Sequence, residues 1–99
     1  MTTVDEVDKE FTLRTAVARY DDLRMQDSLG SPPLTADEAL LMLALGEVIA
    51  RKAGYGRQLS VRSARAAGAS WSQIGAALGT TKQSAWEAHA RWLEEQAAT

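Results

Sequence analysis

Ser70–Trp92, SWSQIGAALGTTKQSAWEAHARW, punctuates two helices and a tight turn almost residue by residue. Ser70 stands three residues before Gln73, and Thr80 three residues before Gln83. In each pair a hydroxyl and a Gln amide can satisfy the orphan amides of a new helix, the capping-box pattern. Between the pairs, Leu78-Gly79-Thr80 ends one helix with the residue type that tolerates a left-handed backbone, then opens the next at once. The spacing predicts a short helix, a Gly-containing turn and a longer helix. Ile74 and Leu78, four residues apart, are expected to point into the core, with Gly75 where the two helices cross. On the longer helix Thr81, Ala85, Ala88 and Trp92 form a stripe expected to be buried. The opposite face presents Lys82, Gln83, Trp86, Glu87 and Ala90, with Ser84 at its edge.

Upstream, a short helix is expected from about Arg57 to Ala67, ended by Gly68-Ala69, with Leu59, Ser63 and Ala66 as its inner stripe. Before it, Thr35 and Glu38 make another capping box that opens a helix from Ala36 to about Ala53, stopped by Gly54-Tyr55-Gly56. That helix is apolar nearly all round between Ala39 and Ala50, as in the centre of a bundle or half of a dimer interface. Ser28–Leu34, with Pro32-Pro33, is a turn or short linker. The first helix is expected from Thr3 to about Gln26, and its apolar positions fall into two groups at 100° per residue. Val4, Val7 and Phe11 share one side, and Leu13, Ala16, Val17, Tyr20 and Leu23 another. Either the helix breaks near Thr12, or one long helix touches two surfaces. No strand pattern is visible. The expected fold is all-α, with four or five helices: residues 1–34 as an N-terminal helix and linker, and residues 35–99 as a helical core.

Composition narrows the function classes. With no Cys there is neither a disulfide framework nor a thiolate nucleophile or metal ligand. No apolar run reaches a membrane span, and the acidic start does not read as a signal peptide, so a cytoplasmic protein with no membrane partner is expected. The net charge of −2 hides an asymmetry. Residues 1–50 hold four basic side chains against ten acidic ones; residues 51–92 hold seven basic ones (Arg51, Lys52, Arg57, Arg62, Arg65, Lys82, Arg91) against Glu87 alone. A basic module joined to an acidic one suits a nucleic-acid binder better than the total implies.

Three successive helices ending in helix, Gly turn and longer helix are the plan of a helix-turn-helix that reads double-stranded DNA. The N-terminal part of the second helix of such a pair meets the base edges, so Thr81, Lys82, Gln83, Ser84, Trp86 and Glu87 are the candidate base contacts. Gln can pair with adenine N6 and N7, Lys with guanine O6 and N7, and Glu with cytosine N4. Trp86 suits a thymine methyl, a sugar or another chain. Arg57, Arg62, Arg65 and Arg91 are candidate phosphate contacts, joined by Ser70 and the amides of Trp71 and Ser72 at a helix start. Leu13, Val17, Tyr20, Leu23, Leu41 and Leu45 are candidates for dimerisation, since one recognition helix covers few base pairs.

Gly68–Trp92 resembles the helix-turn-helix of small bacterial transcription regulators of high-GC bacteria, and of the sigma-factor region that reads promoter −35 elements. The matching residues are Ile74, Gly75, Leu78, Gly79, Thr80, Gln83 and Ala85, and the match covers about a quarter of the chain. Many such units carry Ala where Gly75 stands and a branched residue where Ala85 stands. The resemblance implies a trihelical fold, sequence-specific DNA binding and a role in transcription regulation, with the protein at the nucleoid. Residues 1–50 resemble no named family.

The competing expectation is a trihelical module that binds only protein, as adaptor, antitoxin-like component or polymerase regulator, with a partner on the acidic N-terminal helix. Nonspecific architectural DNA binding is the third. His89, the sole histidine, has no Cys or carboxylate at a ligand spacing, and Gly54-Tyr55-Gly56 follows no strand and lacks Gly-Lys-Ser/Thr. No catalytic residue, metal or cofactor is expected.

Overall fold

The computed structural model describes residues 1–98 and is all-helical there, with no strand. Six helices follow in order: α1 (Val4–Glu10), α2 (Leu13–Leu29), α3 (Ala36–Tyr55), α4 (Arg57–Ala66), α5 (Trp71–Leu78) and α6 (Lys82–Ala98). There is one more than expected because the first helix breaks. Phe11 and Thr12 are extended, and Thr12 caps α2. The Thr15 amide donates to Thr12 Oγ1 (3.2 Å) and the Thr12 amide to Thr15 Oγ1 (2.9 Å), so the Thr pair does what Thr and Glu do in the usual box. The break resolves the two apolar stripes, since α1 and α2 each turn theirs toward α3.

The chain forms two compact units, Met1–Tyr55 and a second beginning at Gly56. The expected division after residue 34 is therefore displaced: α3 supplies the core on which α1 and α2 fold. Val7, Ala16, Leu23, Ala44, Leu45 and Val48 are buried there, with Phe11, Tyr20, Leu41 and Ile49 among the partly buried residues around them. Thr35 and Glu38 exchange the expected capping bonds, Glu38 N to Thr35 Oγ1 (3.1 Å) and Thr35 N to Glu38 Oε1 (3.0 Å). Ion pairs tie α1 to α3, Lys52 Nζ to Asp8 (2.7 Å) and Arg51 to Asp5 (3.1 Å).

In this core the dimerisation set divides. Leu23 and Leu45 are fully buried within their own unit, and Tyr20 and Leu41 are partly buried against it, so none of these four is an open dimer surface. Ala16, Tyr20 and Leu23 form the inner line of α2, which leaves Leu13 (40% exposed) and Val17 (38%) facing outward.

The second unit has a smaller core: Val61, Ile74 and Ala85, with Ala64, Ala69 and Trp71 packed against them. The inner face of α4 is therefore Val61 and Ala64, with Gln58 a turn before; Leu59, Ser63 and Ala66 are exposed, against expectation. Val61 enters this small core, while the bulkier Leu59 lies 47% exposed. Leu78, the last residue of α5, is also exposed and lies outside the cluster, since the chain turns away immediately after it.

Candidate nucleic-acid interface

The turn between α5 and α6 is built from local chemistry. Ser70 Oγ accepts from Gln73 N (3.1 Å) and Gln73 Oε1 accepts from Ser70 N (2.8 Å), the capping box the spacing predicts. At the other end Gly79 takes φ +71°, the left-handed region favoured by Gly. Gly79 N donates to Ala76 O (3.2 Å) and Thr80 N to Gly75 O (2.8 Å), the paired bonds of a Schellman turn. Gly75 is buried, and a Cβ there would lie 2.9 Å from Lys82 N and Thr81 C. The absent side chain is what lets the start of α6 cross α5 so closely.

The cap of α6 falls one residue later than expected. Thr81, not Thr80, caps it: Ser84 N donates to Thr81 Oγ1 (3.0 Å), whose hydroxyl donates in turn to Ser84 Oγ (3.0 Å). Thr81 is therefore exposed rather than part of a buried stripe, and the inward line of α6 is Ala85, His89 and Trp92. The shift releases Gln83 from capping. Its Nε2 donates to Glu87 Oε1 (2.9 Å), which leaves one N–H and the carbonyl oxygen of the amide for another partner.

All six candidate base contacts, Thr81, Lys82, Gln83, Ser84, Trp86 and Glu87, are exposed. Gln83 lies between two flanks of α6, with Lys82 and Trp86 on one side and Ser84, Glu87 and Arg91 toward the other. Trp71, Lys82, Gln83 and Trp86 line an open hollow of about 440 Å³.

The phosphate set is more constrained. Arg65 lies over the Trp71 ring (5.0 Å from guanidinium carbon to ring centre) and donates to Ala69 O at 2.9 Å. Arg62 lies over Trp92 at 5.9 Å. Both guanidiniums are held on indole faces, so part of their role is to close the unit. Arg57 and Arg91 are exposed cations with no ion pair among the described residues. The Ser70 hydroxyl is engaged in its cap, while the amides of Trp71 and Ser72 occupy the first two positions of α5, which the helix cannot satisfy. Arg51 and Lys52, counted with the basic half, belong to α3 and face Asp5 and Asp8. The stretch from Gly56 to Trp92 then keeps five basic side chains against one acidic.

His89 has a structural role that its place in the sequence does not announce. It is buried, its ring 5.6 Å from that of Trp71 and 5.5 Å from that of Trp92, where the planes are stacked. Its Nδ1 donates to Gln58 Oε1 (2.8 Å), since an amide oxygen can only accept. Arg65, Trp71, His89, Trp92 and Arg62 thus form one continuous stack that joins α4, α5 and α6. The 85–89–92 spacing is the one available signal for it. Among the described residues no three His, Cys, Asp or Glu side chains are grouped to hold a metal ion, and no helix is long and apolar enough to cross a membrane.

No family model, curated protein or solved structure matches this chain. What the exposed face of α6 can do therefore rests on its own chemistry: an amide held by Glu87, an ammonium without an ion pair among the described residues, and a half-exposed indole.

Proposed function

We propose that the second unit binds double-stranded DNA through α5, the Gly79 turn and α6, and that the chain works as a homodimeric transcription regulator. The observation that carries this reading is the close crossing at Gly75, which holds α6 with Lys82, Gln83 and Glu87 outward and Ala85 inward. A major groove about 12 Å wide admits such a helix, and Gln83, oriented by Glu87, has the donor and acceptor that adenine requires. Arg57 and Arg91 supply phosphate contacts, with Arg62 and Arg65 adding charge from fixed positions. Association at the nucleoid follows from this reading.

Dimerisation is assigned to the first unit. Its outward apolar residues include Leu13, Val17, Met25 and Leu29 on α2 and Leu40 and Leu43 on α3, Leu43 being 70% exposed. The same surface favours a second reading, a protein-interaction module. Tyr20, Pro33, Leu34, Met42 and Leu43 line a hollow of about 640 Å³ that a partner side chain can enter.

Fluorescence anisotropy on a randomised duplex pool at two salt concentrations, with sequencing of the retained DNA, tests the proposal. Salt-sensitive binding that enriches a two-fold symmetric motif supports a dimeric regulator. Salt-sensitive binding without a motif marks an architectural protein, and no binding at low salt leaves the protein-interaction reading. Gln83→Ala is expected to relax selection at one base position, by roughly 1–3 kcal/mol, while other positions keep theirs. Unchanged discrimination would place the reading surface elsewhere.

A further inference from the structure

Half the surface of the Trp86 indole is open to solvent, on the recognition face of α6 and outside the buried cluster that holds the second unit together. It forms one wall of the hollow whose other sides are Trp71, Lys82 and Gln83. Trp71 is a fixed wall, stacked beneath Arg65 at 5.0 Å and tilted against His89 at 5.6 Å. Lys82, four residues before Trp86, sits on the same side of α6 and has no ion pair among the described residues. The hollow is therefore walled by indoles with the Lys82 ammonium at its edge, and the Arg65 guanidinium lies over one of those indoles. Such a shape fits an apolar group carried on a polyanion.

In the major groove the apolar group on a base edge is the C5-methyl of thymine. Gln83 lies about 60° around the helix from Trp86 and about 100° from Lys82, and its amide is held by Glu87 with one N–H and its oxygen left over. Neighbouring side chains on a helix meet neighbouring base pairs, so the indole falls within two base pairs of the position read by Gln83.

We infer that Trp86 is a specificity-determining residue, its indole and that of Trp71 receiving a thymine C5-methyl within two base pairs of the position read by Gln83. This rests on the proposed DNA-reading function, and its test separates the two. On the duplex enriched by the wild-type protein, each thymine is replaced in turn by deoxyuridine, and affinities are measured for wild type, Trp86→Phe and Trp86→Ala.

One replacement, within two base pairs of the Gln83-dependent position, is expected to weaken wild-type binding about fourfold, as for the loss of one buried methyl group. Trp86→Ala is expected to bind the thymine and deoxyuridine duplexes equally, and Trp86→Phe to keep part of the difference. An enriched sequence in which no thymine is methyl-sensitive overturns this inference and leaves the DNA-reading proposal standing. So does a methyl effect that persists in Trp86→Ala, or conversion of that variant to a monomer, which would place the indole between two copies. No enriched sequence at all overturns both. The scan on wild-type protein depends on no variant folding.

Discussion

The two units solve the same problem, burying enough of a short helical chain, by different means. The first relies on aliphatic volume: Leu23, Leu45 and Val48 are completely buried along α2 and α3, and α1 is pinned by ion pairs of Asp5 and Asp8. Among the described residues the second buries Val61, Ile74 and Ala85 as apolar side chains, and adds a stack of rings and guanidiniums and a glycine crossing. An aliphatic core tolerates repacking, because its contacts are non-directional. A unit built from a close backbone crossing and stacked rings is geometrically specified but has little volume in reserve.

The largest expected effect comes from breaking the aliphatic side of this contrast. Leu45→Ala is expected to destabilise the first unit by about 2–5 kcal/mol, through lost transfer energy and the cavity left behind. All three tryptophans lie in the second unit, so Trp fluorescence reports on it alone. Thermal melts followed by far-UV circular dichroism are expected to lose the first transition early while the fluorescence midpoint stays in place. A joint fall of both would show the two units to be one cooperative system.

Breaking the directional side comes next. Gly75→Ala places a methyl 2.9 Å from backbone atoms of Thr81 and Lys82, which cannot rotate away as a side-chain tip can. A loss of about 1–3 kcal/mol is expected, read as an earlier fluorescence midpoint with the first unit unchanged. Tolerance of Ala would mean that α5 and α6 separate at little cost. Ser70→Ala removes one half of a cap and is expected to cost about 1 kcal/mol in the same measurement.

The smallest effect sharpens the comparison through pH. The Thr35 amide, donating to Glu38, holds that carboxyl below its ordinary value. A depressed folded value means that the stabilisation is complete above about 4.3, the unfolded Glu value, and is lost as pH falls through the lower folded one. Acid titration of wild type against Glu38→Gln is expected to show the stability difference shrinking over that window, in the first unit only. A difference that does not change with pH would break the assignment.

What could be read beforehand follows the range of the interactions. The capping bonds of Ser70 with Gln73 and of Thr35 with Glu38, and the Gly79 turn, involve residues within a few positions, and each is present. The all-helical class followed from them. The phase of α4 did not, because Val61 turns inward in response to helices that follow later in the chain. Nor did the pairing of Arg51 and Lys52 with Asp5 and Asp8, across more than forty residues, which removed two charges from the expected basic face. Which leucines of α2 and α3 would be buried also depended on where α2 breaks, and Thr12 with Thr15 is not the usual capping pair. At the candidate site the exposed face of α6 was legible, while the fixing of Arg62 and Arg65 on indoles was not.

The Gly79 turn has a kinetic consequence as well. Every bond that shapes it joins residues no more than five positions apart, and α5 and α6 pack directly across it. Closing so short a loop loses little chain entropy, and helical proteins dominated by neighbouring contacts fold on the order of microseconds to milliseconds. The hairpin is therefore placed to nucleate its unit, with α4 docking afterwards through the bond between Gln58 and His89, thirty-one residues apart. A chain that forms its outward-facing helix first spends little time with that surface unformed.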